Sequence, residues 1–415
     1  MRLRALILVL PILSLMAVGC GYFGPDRIDE EKTVTIFYGA GYNNLSSDIA
    51  ANVHTMISGQ VPAYWSNHKF LIYTHLSRTD HDYVTPQEGH LVEYYTDVFG
   101  NTVADTLLVT GSSRTAADPE VLREVLEFTA DKYPDSKYGL IVSSHGTGWL
   151  PAGVYSNSTR PVQFSRTLYR HNSGNNSIKV KTFVAEALTE DGVTYSREMS
   201  VQSMAKAITI PLDYIIFDAC LMGGVEVAYE FRGKAAKIGF SPAEVLSTGF
   251  NFSDLSMLIS DNPDPKAFCQ AYYDMYDVQS GARRSATISL IDTEAMSGLA
   301  TVCNGLFAKY REAMSRLDSS SSIQEYFREN KHWFYDLADV LVKAGISESE
   351  KAQLEEALAH CIIYKAATPS FMLGLGGFEI NTYCGMSMYL PSMGNSTLDT
   401  FYRTLAWNKA TNLVE

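Results

Sequence analysis

The chain has 415 residues and a formal net charge of −13. Hydrophobic residues make up 46% of it and charged residues 19%, a balance that supports a sizeable core and excludes a disordered chain. The acidic charge disfavours a nucleic-acid groove, because such a groove needs a basic stripe over the phosphates. We therefore expect a folded protein that binds no nucleic acid.

The first 20 residues have the pattern of an export signal. Two arginines precede an apolar run over residues 5–18, which is too short and too broken by proline for a comfortable membrane span. The run ends in MAVGC, which resembles a bacterial lipobox with Cys20 as the acylated residue. We expect a signal peptide over residues 1–20, a polar tether over 21–31, and acyl chains on Cys20 that anchor the protein to the cell envelope. A plain secreted protein is the alternative.

Five cysteines follow the signal peptide, and their number and spacing predict neither a disulfide framework nor a zinc site. They are Cys220, Cys269, Cys303, Cys361 and Cys384. At least one thiol must therefore stay free in an exported protein.

Short apolar runs recur along the chain and suit strands buried on both faces. They cover Val34–Tyr38, Phe70–Thr74, Thr106–Thr110, Tyr138–Ser143, Tyr214–Phe217, Lys237–Phe240, Thr287–Ile291 and Met386–Leu390. Helical patterns lie between several of them, at 118–133, 200–208 and 221–232, the first with Asp118 as cap and Pro119 in the first turn. This alternation predicts an α/β protein with an open, mostly parallel sheet flanked by helices.

Two regions depart from the alternation. Residues 151–200 are rich in Ser, Asn and Thr and predict a long surface linker between two strands. Residues 293–415 predict a mainly helical C-terminal region that ends in a further strand. The expected organisation is a catalytic domain over 32–292, with the linker inside it, followed by this region.

Two strand ends carry residues suited to nucleophilic catalysis. LIVSSHGTGW places His145 just after an apolar strand, and LDYIIFDACLMGG places Cys220 at a strand-to-helix turn. In open α/β sheets, ligands bind outside the carboxyl ends of the strands. If the two strands are neighbours, His145 can take the proton of the Cys220 thiol and return it to a leaving amine. The backbone N–H groups of Gly146 and Cys220 can then form an oxyanion hole.

HGTGW and DACLMGGVEVAYE resemble the two catalytic blocks of the clostripain family of the caspase-like clan. VTIFYGAGYNNL, FSPAEVLSTGF and TYCGMSMYLP resemble its flanking blocks, so the resemblance spans residues 33 to about 392. It implies a caspase-like three-layer sandwich and a cysteine endopeptidase with a His145–Cys220 dyad that needs no third residue.

The resemblance also implies a preference for Arg or Lys at P1, because Asp218 matches the carboxylate at the floor of the family's specificity pocket. A cap on the strand-to-helix turn is the alternative role for this residue. Family members commonly supply a second acid from the loop after the next strand, where this chain offers only Glu244 and Asp254.

Family members are often activated by cleavage after a basic residue in the linker, and Arg160 is our first candidate here. The chemistry needs no cofactor; some relatives use calcium, although no EF-hand loop is present. We expect a monomer that acts on peptides or proteins and meets the membrane only through its anchor, on the periplasmic or surface face. The alternatives are a catalytically silent surface-binding lipoprotein on the same scaffold and a thiol amidase.

Overall fold

Nine strands build a central sheet in the computed structural model, which describes residues 31–59, 61–79, 85–154, 186–190, 193–328 and 333–415. The strands within these ranges are β1 (Thr33–Gly41), β2 (His68–Leu76), β3 (Gly89–Thr96), β4 (Thr102–Thr110), β5 (Lys137–Ser143), β6 (Glu186–Glu190), β7 (Val193–Arg197), β8 (Leu212–Asp218), β9 (Ala235–Phe240), β10 (Thr287–Asp292), β11 (Tyr335–Asp336), β12 (Ile362–Ala367), β13 (Ser370–Phe371), β14 (Phe378–Glu379) and β15 (Ser387–Met388).

The sheet has the order β12-β10-β9-β8-β5-β1-β2-β3-β4. Its five middle strands, from β9 to β2, run parallel to one another. The outer strands, β10 and β12 on one side and β3 and β4 on the other, are each joined to the neighbouring strand on the inner side by antiparallel pairing. Every residue of β1 is buried, as expected for a central strand that is covered on both faces. The short strands form three separate two-stranded pairs, β6-β7, β11-β15 and β13-β14.

Ten α-helices flank the sheet within the described residues. They are α1 (Ser46–Ser58), α2 (Pro119–Lys132), α3 (Val201–Ala207), α4 (Val225–Glu230), α5 (Pro265–Asp277), α6 (Met296–Ser315), α7 (Leu337–Lys343), α8 (Glu348–Cys361), α9 (Ser396–Tyr402) and α10 (Ala406–Thr411). Helices α1 and α5 both pack on the 3₁₀ turn Phe252–Met257, whereas α2, α3, α4, α6 and α10 form a second contiguous set. The predicted fold class, a mostly parallel sheet between helices with a mainly helical C-terminal part, is confirmed.

Most predicted elements are present, and their caps follow the sequence signals. The Asp118 side chain accepts from the backbone N–H of Glu120, and Pro119 opens α2. Ser200 caps α3 by accepting from the N–H of Ser203. Seven of the eight predicted strands lie in the central sheet. The run Met386–Leu390 does not, because only Ser387 and Met388 form a strand there and they pair with β11.

Two strands of the central sheet were not predicted, and each has a one-sided environment that weakens its sequence signal. Strand β3 alternates between buried and half-buried positions. Strand β12 follows α8 without a break and is only partly buried, so its residues extend the helical pattern. Because β12 pairs with β10, the region after residue 292 contributes to the central sheet as well as supplying helices. Residues 31–415 form one compact unit, and the predicted boundary at 292 lies within it.

Candidate active site

The strands that precede His145 and Cys220 are neighbours in the sheet. Strands β5 and β8 pair in parallel, and Ser143 lies opposite Asp218 as the last pair of the ladder. His145 and Cys220 each follow two residues later, so both leave the same edge of the sheet. Since adjacent strands are about 4.8 Å apart, this register alone brings the two turns together.

Glycine makes the contact between the two turns possible. A β-carbon built on Gly146 would overlap the carbonyl oxygen of Cys220 and lie 3.0 Å from its backbone nitrogen. Gly148, at φ +59°, is similarly close to the carbonyl of Leu221. The HGTG turn therefore lies directly on the backbone of the cysteine turn, a closeness that any larger side chain at residue 146 would prevent.

The Cys220 thiol is fully buried under the segment that follows β9. Its sulfur accepts a hydrogen bond from the N–H of Val245 at 3.0 Å and lies 3.6 Å from the carbonyl oxygen of the same residue. An N–H donor of this kind stabilises negative charge on sulfur. In this conformation the thiol is closed off from solvent.

The helix that we predicted over residues 221–232 begins later, at Val225. Leu221 has φ +62°, and its N–H donates to Ala243 O, while the N–H of Gly223 donates to Ser241 O. These bonds hold residues 221–224 as a separate turn beside the segment after β9. The prediction that a helix begins directly after Cys220 is therefore wrong.

His145 is oriented by a residue that our sequence reasoning did not assign to the site. Its Nε2 lies 2.8 Å from Oδ1 of Asn44, in the turn after β1. An amide oxygen only accepts hydrogen bonds, so Nε2 donates the proton in this bond. Strand β1 lies beside β5, which places Asn44 at the same edge. The Asn43-Asn44 pair after a predicted strand could have indicated a site residue. The sequence alone does not show that this strand lies beside the one that precedes His145.

Asp218 lies at the end of β8 and is completely buried. Its Oδ2 accepts a hydrogen bond from the Ser143 hydroxyl at 2.6 Å. Burial, followed by the charge of Asp218, raises the pKa of Tyr276 on α5, whose hydroxyl donates to Gly249 O. Asp218 thus lies inside the protein between β5 and α5, two residues from the cysteine.

The two other acids that we considered for a specificity pocket have partners of their own. Glu244 is buried and forms a bidentate ion pair with the half-buried Arg328, whose Nη2 lies 3.1 Å from Oε1. Asp254 accepts from the side-chain amide of Asn251 at 2.6 Å. Glu244 directly precedes Val245, so its ion pair with Arg328 lies next to the segment that covers the thiol.

An aromatic cluster packs the turn after His145 against the C-terminal region. Trp149 is fully buried and its ring packs on Tyr389, with centroids 4.8 Å apart, and edge-on to Tyr402 at 5.1 Å. Glu226 on α4 accepts from the N–H of Tyr389 at 2.8 Å and from the Tyr402 hydroxyl at 2.7 Å. Burial raises the pKa of Glu226 to about 7. The Trp and Glu of the two motifs therefore serve packing, and both contact the same pair of tyrosines.

The four other thiols in the described ranges, Cys269, Cys303, Cys361 and Cys384, are buried, unbridged and distant in sequence from both turns. Burial raises the pKa of each of them, that of Cys361 to about 11. They are consequently poor nucleophiles near neutral pH.

Two predicted sites, Cys20 and Arg160, lie outside the residues that the structure describes. Within the described part of the chain, no group of three or more His, Cys, Asp or Glu side chains is arranged to hold a metal ion. In the same part, no helix combines the length and hydropathy needed to cross a bilayer.

Comparison with known proteins assigns the chain to a family. The model of peptidase C11, the clostripain family, matches residues 103–413, which include both strand-end turns and the aromatic cluster. The chain belongs to the clostripain family. Clostripain of Hathewaya histolytica is 26% identical over 220 residues, a match that covers 49% of this chain and only 36% of that protein.

Two solved structures show the same fold. An inactive zymogen C11 protease from Parabacteroides distasonis is 26% identical, with a TM-score of 0.70 over 92% of this chain and 97% of that one. A secreted C11 cysteine protease from Bacteroides thetaiotaomicron, solved with an irreversible peptide inhibitor, is 21% identical, with a TM-score of 0.72 over 92% of this chain and 99% of that one. The clostripain-family fold therefore covers nearly all of this chain.

Proposed function

We propose that this clostripain-family protein is a cysteine endopeptidase in which Cys220 is the nucleophile and His145 the general base. The observation that carries the proposal is the contact of Gly146 with the Cys220 backbone, since it joins the two turns at the edge where β5 and β8 end. The thiolate attacks the scissile carbonyl, the leaving amine takes the proton from His145, and water hydrolyses the thioester.

The hydrogen bond from His145 to Asn44 supports the role of the imidazole. It stabilises the tautomer with a proton on Nε2, which leaves the Nδ1 lone pair to take the thiol proton. The N–H groups of Gly146 and Cys220 belong to the two turns in contact, and we assign them to the oxyanion hole. Asn44 acts as a positioning residue, which extends the dyad expected from the resemblance.

We further propose that Asp218 favours Arg or Lys at P1. It is a buried carboxylate two residues from the nucleophile, and a planar guanidinium is its best partner. Glu244 does not add a second charge to the pocket, because Arg328 neutralises it. The preference for basic residues therefore depends on one acid, and neutral P1 residues are expected to be cleaved more slowly.

The buried thiol supports a latent resting form. Val245 covers Cys220, and the relative from Parabacteroides distasonis is itself described as an inactive zymogen. We assign activation to cleavage of the 151–200 linker, with Arg160 as the first candidate. We also propose that the chain is exported and acylated on Cys20, and that it acts as an envelope-bound monomer with no cofactor in the chemistry.

Fluorogenic peptides with Arg, Lys or a neutral residue at P1 test the proposal, with Cys220→Ala and His145→Ala as matched inactive variants. We expect cleavage after Arg or Lys that both variants lose. Mass spectrometry of the active protein is expected to show cleavage within the linker. A linker-cleaved protein that hydrolyses no peptide would leave the silent lipoprotein as the better interpretation, while hydrolysis of simple amides alone would favour the thiol amidase.

A further inference from the structure

Four large apolar side chains are exposed together at one end of the sheet. We call them the apolar tip. They are Tyr64 (61% exposed), Trp65 (67%), Val98 (71%) and Phe99 (85%). The first two lie in the loop before β2, and the last two form the turn between β3 and β4. Clusters of large exposed apolar side chains mark contact surfaces, since monomeric soluble proteins rarely display them.

The backbone holds the two parts of the apolar tip together. The N–H of Tyr64 donates to Thr96 O at 2.9 Å, and the N–H of Thr96 donates to Pro62 O at 2.8 Å. The Tyr64 ring also packs on Tyr95, with centroids 5.3 Å apart. The exposed residues are therefore presented on a fixed framework.

The turn itself is also ordered by its own hydrogen bonds. Asp97 Oδ1 accepts from the N–H groups of Phe99 and Asn101, both at 2.8 Å, and Gly100 takes φ +83°. These bonds fix the conformation that points the turn outward and leaves Val98 and Phe99 in solvent.

The apolar tip and the candidate active site lie at opposite edges of the sheet. Strands β1 and β2 are parallel and begin together, with Thr33 opposite His68, and the apolar tip lies at that end. His145 and Cys220 follow the carboxyl ends of β5 and β8. The seven residues of β5 span about 20 Å, which is the least distance between the two edges.

The chain that precedes the described residues joins the fold at this same edge. The N–H of Thr33 donates to Asn67 O, two residues after Trp65. Eleven residues connect Cys20 to Glu31 and reach about 40 Å at most when fully extended. An anchor on Cys20 would therefore keep the apolar tip within reach of a bilayer, whereas the catalytic edge lies on the far side.

We propose that the apolar tip inserts into the lipid interface and holds the catalytic edge facing away from the membrane. Trp and Tyr favour this interface because they combine an apolar ring with a polar group. The contact depends mainly on apolar burial. Asp97 and Asp105 lie near the tip, and the lysine that bonds it, Lys69 on Tyr64 O, is also paired with Glu93. Zwitterionic lipids are therefore the preferred surface.

Sedimentation with phosphatidylcholine and phosphatidylethanolamine vesicles tests the proposal. The chain 21–415 keeps the compact unit and lacks any acyl group, so the result does not depend on lipidation of Cys20. We expect vesicle binding that persists in high salt. The affinity should fall at least about tenfold in a Trp65→Ser, Phe99→Ser double variant, because burial of even one large apolar side chain changes a binding constant by about that factor. The variant should cleave soluble peptides as the parent does.

Val278→Ser is the matched control, because Val278 is 80% exposed and lies after α5, away from the tip. It should leave vesicle binding unchanged. Equal sedimentation of parent and double variant, or no sedimentation of either, would show that the tip does not bind lipid. A parent that is dimeric by light scattering, and a double variant that is monomeric, would instead identify the tip as a self-association surface and overturn the proposal.

Discussion

Gly146 lies in contact with the backbone of Cys220, and this contact joins the two halves of the candidate active site. The contact exists because β5 and β8 are adjacent and in register up to Ser143 and Asp218. The roles proposed for His145, the oxyanion hole and Asp218 all depend on this closeness.

Replacing Gly146 with alanine is expected to reduce kcat/KM by about 100-fold or more, because the added methyl group overlaps the Cys220 carbonyl and separates the two turns. Gly305→Ala is the matched control, since Gly305 lies in α6 with open space at its β-carbon position. Peptide cleavage by both variants checks this. Full activity in the Gly146 variant would contradict the proposed geometry.

Asn44→Ala is expected to lower kcat about tenfold or more with little change in KM, because the imidazole loses the bond that fixes its tautomer. Asn44→Asp should shift the limb of the pH profile that reports His145 to higher pH, since a carboxylate beside Nε2 stabilises the imidazolium. Measured profiles of kcat/KM check both statements. An unchanged profile in the Asp variant would assign Asn44 a purely structural role.

Arg328→Met is expected to destabilise the protein by about 3–5 kcal/mol, because it leaves the buried Glu244 carboxylate without its ion pair. A double variant with Glu244→Gln should recover most of that loss. The exposed pair of Arg316 and Glu312 is the control, and Arg316→Met should cost less than about 1 kcal/mol. Urea unfolding measures all three, and an equal effect of the two arginine variants would contradict the argument.

Glu226 is expected to make stability fall as pH rises from about 5 to 8. Burial raises its pKa to about 7, so between its unfolded and folded pKa values the folded state binds more protons than the unfolded chain. A rise in pH therefore removes stability, about 3 kcal/mol in all. Glu226→Gln keeps the acceptor for Tyr389 and Tyr402 but does not titrate.

The free energies of unfolding of wild type and Glu226→Gln should consequently be similar at pH 5 and differ at pH 8, with the Gln variant the more stable. Urea titrations at the two pH values provide the measurement. A difference that does not change with pH would rule out Glu226 as the titrating group.

The sequence by itself determined the local structure and predicted which residues carry the chemistry. Buried strands such as β1 and β8 are continuous apolar runs, and the cap of α2 is formed by Asp118, the side chain that the sequence indicated. The HGTGW and DACLM blocks predicted His145 and Cys220 as the catalytic pair because a strand end, glycine and a nucleophile occur together in a short segment. The match to the clostripain family confirms the family that these blocks predicted for the chain.

The tertiary structure decided which residues meet across long sequence separations. Asn44 bonds His145 only because β1 lies beside β5, and Glu244 is neutralised by Arg328, 84 residues away. The turn after Cys220 is held by Ala243 and Ser241 instead of continuing as a helix, since the neighbouring segment supplies its backbone acceptors. Strand order, register and such partners depend on packing between distant segments, which the local pattern of residues does not encode.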